Sequence, residues 1–140
     1  IPVAADGAVF SFSEVKIGVV PACISPYVLK RVGERYGREY FLTGERLTAA
    51  KALQCGLVNR VVAPEALDAA VDEIVGNLLT SGPEALATCK RMVRMVGDQD
   101  LDAAGPATAE MIARLRMSDE GQEGMAAFLE RRKPAWHPGS

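Results

Sequence analysis

From Ala8 to Ser13 the chain reads Ala-Val-Phe-Ser-Phe-Ser, alternating apolar and small polar side chains with a period of two. That alternation predicts a strand that buries one face. Ile1 to Asp6 is a second strand-like apolar run, and Val58 to Val62 predicts a third short strand. The pattern then changes to helical spacing. Ser25 as N-cap with Pro26 at the first helical position opens a helix through Tyr27, Val28, Leu29, Arg31 and Val32. Gly33 permits a break before a second piece from Glu34 to Leu42, which Gly44 ends. Thr48 caps a short helix over Ala49 to Gln54, and Gly56 supplies its left-handed C-terminal position.

Four further helices fill the second half. Pro64 and Glu65 begin one that carries Leu67, Ala70, Val71, Ile74 and Leu78 at helical spacing. The next runs from Pro83 to Val96, and a longer one from Leu101 to Met117 presents Ala104, Thr108, Met111, Ile112 and Leu115 on one face. Asp119 with Gln122 forms a capping box for the last, which reaches Lys133 before Pro134 stops it. Strand material is thus confined to the front and to Val58 to Val62, without internal repeats or low-complexity linkers. Each helical stripe needs a surface to pack against.

Composition narrows the class. With 140 residues, 49% of them apolar, the chain is long enough for one ordinary domain with a real core. Sixteen Lys and Arg against eighteen Asp and Glu leave a formal charge of −2, which offers no broad positive field for nucleic acid. There is no apolar run of membrane-spanning length and no secretory leader pattern. A soluble protein of the cytoplasm is the expectation, an organelle matrix remaining open. Cys23, Cys55 and Cys89 are odd in number and far apart, which suits reduced thiols serving as small apolar residues and argues against a metal site. The single histidine, His137, stands near the terminus, a poor place for a Ser-His-Asp arrangement. Ile1 begins abruptly inside an apolar run and reads like the middle of a protein.

The candidate for chemistry is Glu14, at the end of the predicted strand and ahead of Val15, Ile17, Val19, Val20 and Pro21. Partial desolvation there would favour its protonated form and let it exchange protons near neutral pH. Gly18 and Pro21 shape the turn, so the backbone amides of Ala22 and Cys23 are expected close to the carboxylate. On the residues alone, a solvated loop glutamate is the commoner reading.

Four ordered stretches carry a family resemblance. They are Phe12 to Pro21, Phe41 to Ala49, Gly56 to Val62, and Glu123 to Pro134, which reads Glu-Gly-Met-Ala-Ala-Phe-Leu-Glu-Arg-Arg-Lys-Pro. Together they resemble the C-terminal half of the crotonase family, the enoyl-CoA hydratases and isomerases. The resemblance implies an α/β fold in which residues 1–62 form the last part of a spiral ββα core and residues 63–140 a helical segment that builds trimers, often paired as hexamers. It implies an acyl-CoA thioester as substrate, with no cofactor beyond the coenzyme A that the substrate carries, no metal, no nucleic acid and no membrane.

The resemblance also gives roles. Glu14 becomes the acid/base that moves a proton at the carbon skeleton, and the Ala22 backbone amide holds the active-site water. Phe128 and Arg131 contact the adenine and phosphate end of coenzyme A, chemistry suited to an aromatic face and a guanidinium. Read without it, Phe128 belongs to a core stripe with Met125 and Leu129, Arg131 to Lys133 complement a helix C-terminus, and Ser25 is only a cap. Many relatives carry glycines after the proline where this chain has Ala22-Cys23-Ile24-Ser25, a change that narrows the space without removing the backbone donor. The family's oxyanion amides and the hydratases' second glutamate come from segments preceding Ile1. The expected activity is therefore hydration of a 2-enoyl-CoA, absent without that upstream half. Enoyl-CoA isomerisation is the alternative within the family, and a non-catalytic helical oligomerisation module the alternative outside it.

Overall fold

The computed structural model describes residues 1–139. The chain divides into two compact units, Ile1–Asp72 and Glu73–Ser140. In the first, β1 (Val3–Ala5) pairs in parallel with β4 (Arg60–Val62), Ala4 facing Val61. β2 (Val9–Ser11) pairs antiparallel with β3 (Arg46–Thr48), Phe10 facing Leu47. The alternation seen in the sequence holds: Phe12 is buried and Phe10 half-buried, while Val9, Ser11 and Ser13 point to the exposed side.

β3 falls outside the expected strands. Three residues are too short to show a period of their own, and what makes them a strand is the partner β2 together with complete burial of Leu47. β2 also ends before Glu14. Ser13 leaves the extended region at φ −89° and ψ 7°, and Glu14–Ile17 form a 3₁₀ turn whose Lys16 amide donates to the Ser13 carbonyl at 2.9 Å. Gly18 closes that turn at φ 81°.

α1 (Ser25–Thr43) follows, starting one residue earlier than expected: Ile24, not Ser25, occupies the N-cap, and the Ser25 hydroxyl donates back to the Ala22 carbonyl at 3.0 Å. The break at Gly33 is present, with φ 71° and ψ 174° inside the helix. Val28, Val32 and Tyr40 turn inward to meet Phe12, Leu47 and Cys55, and Phe41 sets its ring edge-on to Phe12 at 5.1 Å. Arg31 ties α1 to the approach to β4, donating to the Leu57 carbonyl at 3.0 Å and to Asn59 Oδ1 at 2.9 Å. α2 (Ala49–Gln54) is capped by Thr48, whose hydroxyl accepts from the Lys51 amide at 3.3 Å, as expected. Cys55 is buried as a small apolar residue, but Cys23 and Cys89 are exposed.

Pro64 and Glu65 open a single 3₁₀ turn, Pro64–Ala66, before α3 (Leu67–Leu79) begins. The second unit contains α4 (Pro83–Gly97), α5 (Leu101–Met117) and α6 (Asp119–Leu129). Ser118 caps α6 in place of Asp119: its hydroxyl accepts from the Gly121 amide at 3.1 Å, and Gln122 reaches back to the Arg116 carbonyl at 2.6 Å. α4 has a glycine at its N-cap, Gly82, which brings no side-chain acceptor. The carboxylate of Glu120 on α6 replaces it, accepting from the amides of Glu84 and Ala85 at 2.8 Å each. A negative group at a helix N-terminus meets both the orphan donors and the dipole. Among the described residues no helix is long and apolar enough to cross a membrane, and no three His, Cys, Asp or Glu side chains cluster as metal ligands.

α6 stops at Leu129, four residues short of the expected Lys133. Arg131, the only non-glycine residue described with positive φ (56°), breaks the helical path. The Arg132 amide donates to the Ala127 carbonyl at 3.0 Å and the Arg131 amide to the Phe128 carbonyl at 3.3 Å. These two bonds are those of a Schellman turn, with an arginine where glycine is usual. An arginine there costs about 1 kcal/mol relative to glycine. The Arg131→Gly variant is therefore expected to raise the Tm by several degrees, read by thermal unfolding. An unchanged or lower Tm would show that the side chain itself stabilises the turn.

Candidate functional site

The first unit places Glu14 at the head of the 3₁₀ turn that Gly18 closes and Ala22 in a separate turn just before α1. Glu14 is half-buried, and its Oε2 is closed off from solvent without a hydrogen-bond partner. A buried unpaired carboxylate oxygen is an uncommon and costly thing for a folded protein to retain. The group stands at the head of the 3₁₀ turn because Ser13 breaks the strand and Gly18 takes the left-handed closing position. A proton-accepting atom held dry and uncommitted is what acid/base work at a carbon centre requires.

Ala22 is placed differently from the expectation. Its amide donates to the Val20 carbonyl at 2.7 Å, a bond across a three-residue turn, and is engaged within the chain. Around this segment lies a cleft of about 360 Å³ whose walls include Phe10 and Phe12 from the strand side and Ile24, Tyr27 and Val28 from α1. Glu14 is not among its walls.

The second unit carries Phe128 and Arg131, three residues apart at the end of α6. Phe128 is 82% exposed and Leu129 79%, so within this chain neither belongs to a core stripe. They border a larger cleft of about 480 Å³, walled also by Ala85, Gly124, Met125 and Trp136. After the Schellman turn the chain folds back as a strap. Arg132 grips the Glu123 carboxylate as a two-pronged fork at 2.6 and 2.7 Å and reaches Glu130 at 2.6 Å. The Ala135 amide donates to Glu123 at 2.9 Å, and the Trp136 indole N–H donates to the Thr80 carbonyl at 3.2 Å. The ring lies against Gly124, where a Cβ would come within 3.0 Å of it.

Sequence reasoning missed Glu123, Arg132 and Trp136 as a set. A nine-residue separation across a turn has no helical or strand signature, and the available hint was the chain's one tryptophan standing just beyond Pro134.

Hydrogen bonds from Arg132 and then from the Ala135 amide hold the Glu123 carboxyl down to about 2, against an ordinary 4.5. A depressed carboxylate adds stability above its unfolded value and loses it as pH falls through the folded one. The strap is accordingly expected to loosen between about pH 4.5 and 2. Trp136, the chain's only tryptophan, would report this as an emission shift, and Glu123→Gln should abolish that step. An identical acid transition in both proteins would locate the loosening elsewhere.

The sequence pattern that defines enoyl-CoA hydratases and isomerases matches residues 1–139. The chain belongs to the enoyl-CoA hydratase/isomerase family. It is 32% identical over 139 residues to a carnitinyl-CoA dehydratase of Citrobacter koseri, covering 96% of this chain and 53% of the relative. It is 33% identical over 132 residues to a crotonyl-CoA hydratase of Syntrophomonas wolfei, covering 94% of this chain and 51% of that protein. Among solved structures, an enoyl-CoA hydratase from Shewanella pealeana superposes with a TM-score of 0.89 at 41% identity, over 96% of this chain and 50% of the other. One from Mycobacterium smegmatis gives 0.91 at 32% identity, over 97% and 53%. The chain thus spans about half the length of the relatives it matches, and the α/β crotonase fold expected from its motifs is the fold it has.

Proposed function

We propose that this chain is the part of an enoyl-CoA hydratase that supplies the proton-transferring carboxylate and the coenzyme-binding corner. Water adds across a 2-enoyl-CoA: its oxygen bonds to C3 as one of its O–H bonds breaks and gives its proton to the water-activating carboxylate, and the electron pair of the double bond moves toward the thioester carbonyl. The enolate returns to the thioester as C2 takes a proton from Glu14, which is restored by the proton released from water. The observation that supports this reading is the buried, unpartnered Oε2 of Glu14, on a turn whose sequence resembles the family's catalytic segment. Hydrogen-bond donors aimed at the enolate oxygen supply the largest share of such catalysis. By family resemblance those donors, and the second carboxylate that activates water, come from a segment that precedes the residues present here.

Ala22 takes the water-holding role in this reading, for which its amide must release the Val20 carbonyl or share itself between two acceptors. Phe128 offers an uncovered ring to the adenine and Arg131 a guanidinium to phosphate. The helical second unit supplies contacts for a homotrimer or a hexamer of two trimers, and the cytoplasm is the proposed compartment.

Loss of the conjugated thioester absorbance on adding crotonyl-CoA to the full polypeptide tests the reading. Formation of 3-hydroxybutyryl-CoA supports hydration. Conversion of a 3-enoyl-CoA to the 2-enoyl isomer without hydration would support the isomerase. Failure to bind any acyl-CoA would favour a module that only oligomerises.

A further inference from the structure

Two neighbouring arginines at the end of α6 are used in opposite ways. Arg132 is fully committed, forked on Glu123 and bonded to Glu130. The Arg131 side chain makes no hydrogen bond or ion pair among the described residues, yet the residue occupies the left-handed position that glycine would fill without strain. A helix stop serving structure alone gains nothing from an idle arginine in that place. The turn is also fastened at several points at once. Glu123 receives both the fork and the Ala135 amide, and Trp136 is bonded to Thr80 and seated on Gly124.

We infer that the strap after α6 is a positioning device for the nucleotide end of coenzyme A. Glu123, Arg132 and Trp136 hold the turn so that Phe128 and Arg131 are presented as a preset corner. This rests on the assignment of Phe128 and Arg131 to coenzyme A. Their order before binding removes the need to freeze the corner when the ligand arrives. The three strap residues are positioning residues and touch no substrate.

The test compares crotonyl-CoA with crotonyl-pantetheine, which has the same reacting thioester but lacks the adenosine phosphate end, on the full polypeptide. Glu123→Gln and Arg132→Lys, which keeps the charge but loses the fork, are expected to raise KM for crotonyl-CoA roughly tenfold. Their kcat should stay near wild type, and their kcat/KM for the pantetheine thioester should not move. Trp136→Phe, which keeps an aromatic ring but not the indole donor, should act in the same direction, and it remains informative if a charge variant fails to fold. Phe128→Ala and Arg131→Ala provide the reference for direct contact. If they weaken the coenzyme substrate selectively and the strap variants do not, the positioning role is wrong. If they too leave the coenzyme substrate unaffected, the assignment beneath it fails, and the inference with it. Equal losses on both thioesters in the strap variants would mark a structural role only and overturn the proposal.

Discussion

Substituting glutamine for Glu14 in the full polypeptide is expected to lower the turnover of crotonyl-CoA by about 10²- to 10⁴-fold, the range for loss of a positioned acid/base. Glutamine keeps the shape and removes the exchangeable proton. KM should change little, because the amide fills the same volume and the substrate's binding contacts lie elsewhere. The Tm is expected to hold or rise, since an unpartnered buried carboxylate oxygen gives way to a neutral group. Reduced activity with preserved folding is the signature sought in a paired kinetic and thermal measurement. Undiminished turnover would remove Glu14 from the chemistry, and joint loss of activity and folding would make it a structural residue.

Gly121→Ala should produce the largest change in stability. A Cβ at position 121 would run into the Leu115 carbonyl oxygen and stand 2.9 Å from its carbon. Both obstacles are backbone, so no side-chain rotation relieves them. The Gly121 amide is also the donor to the Ser118 cap, so any shift that relieves the clash pulls that bond apart. Together these predict a loss of roughly 3 kcal/mol and a fall in Tm of about 10 °C. Ala at Gly97, where a Cβ would meet nothing within 4 Å, is the control and should leave the Tm nearly unchanged. Equal small effects at both positions would show that the α5–α6 turn yields more easily than its close approach suggests.

The parts of the fold that were legible in the sequence are those whose cause lies within a few residues. Thr48 as cap, Gly44 and Gly56 as left-handed stops, and Gly33 as a break each act on the adjoining turn, and each is found in place. β3 was not legible because its cause is remote: Leu47 becomes strand by lying against Phe10, 37 positions earlier in the chain. The end of α6 was misjudged for the same reason. Glu130-Arg131-Arg132-Lys133 has helix-forming composition, and what turns Arg131 out of the helix is accompanied by a fork to Glu123 that no local pattern announces. Of the candidate site, Glu14 stood out in the sequence through its place at the end of a strand pattern and ahead of Gly18 and Pro21. Its dry, unpaired oxygen did not, because burial of one atom depends on how the whole turn settles.

Gly33 holds φ 71° and ψ 174° with open space where a side chain would project. The restriction there is conformational alone, in a region essentially reserved for glycine. Every missense change of a glycine codon adds at least a methyl group, so each first step away from this residue is strained. Lineages descended from a common ancestor should consequently keep glycine at this bend while the exposed positions on either side drift freely, unless both halves of the long helix straighten together.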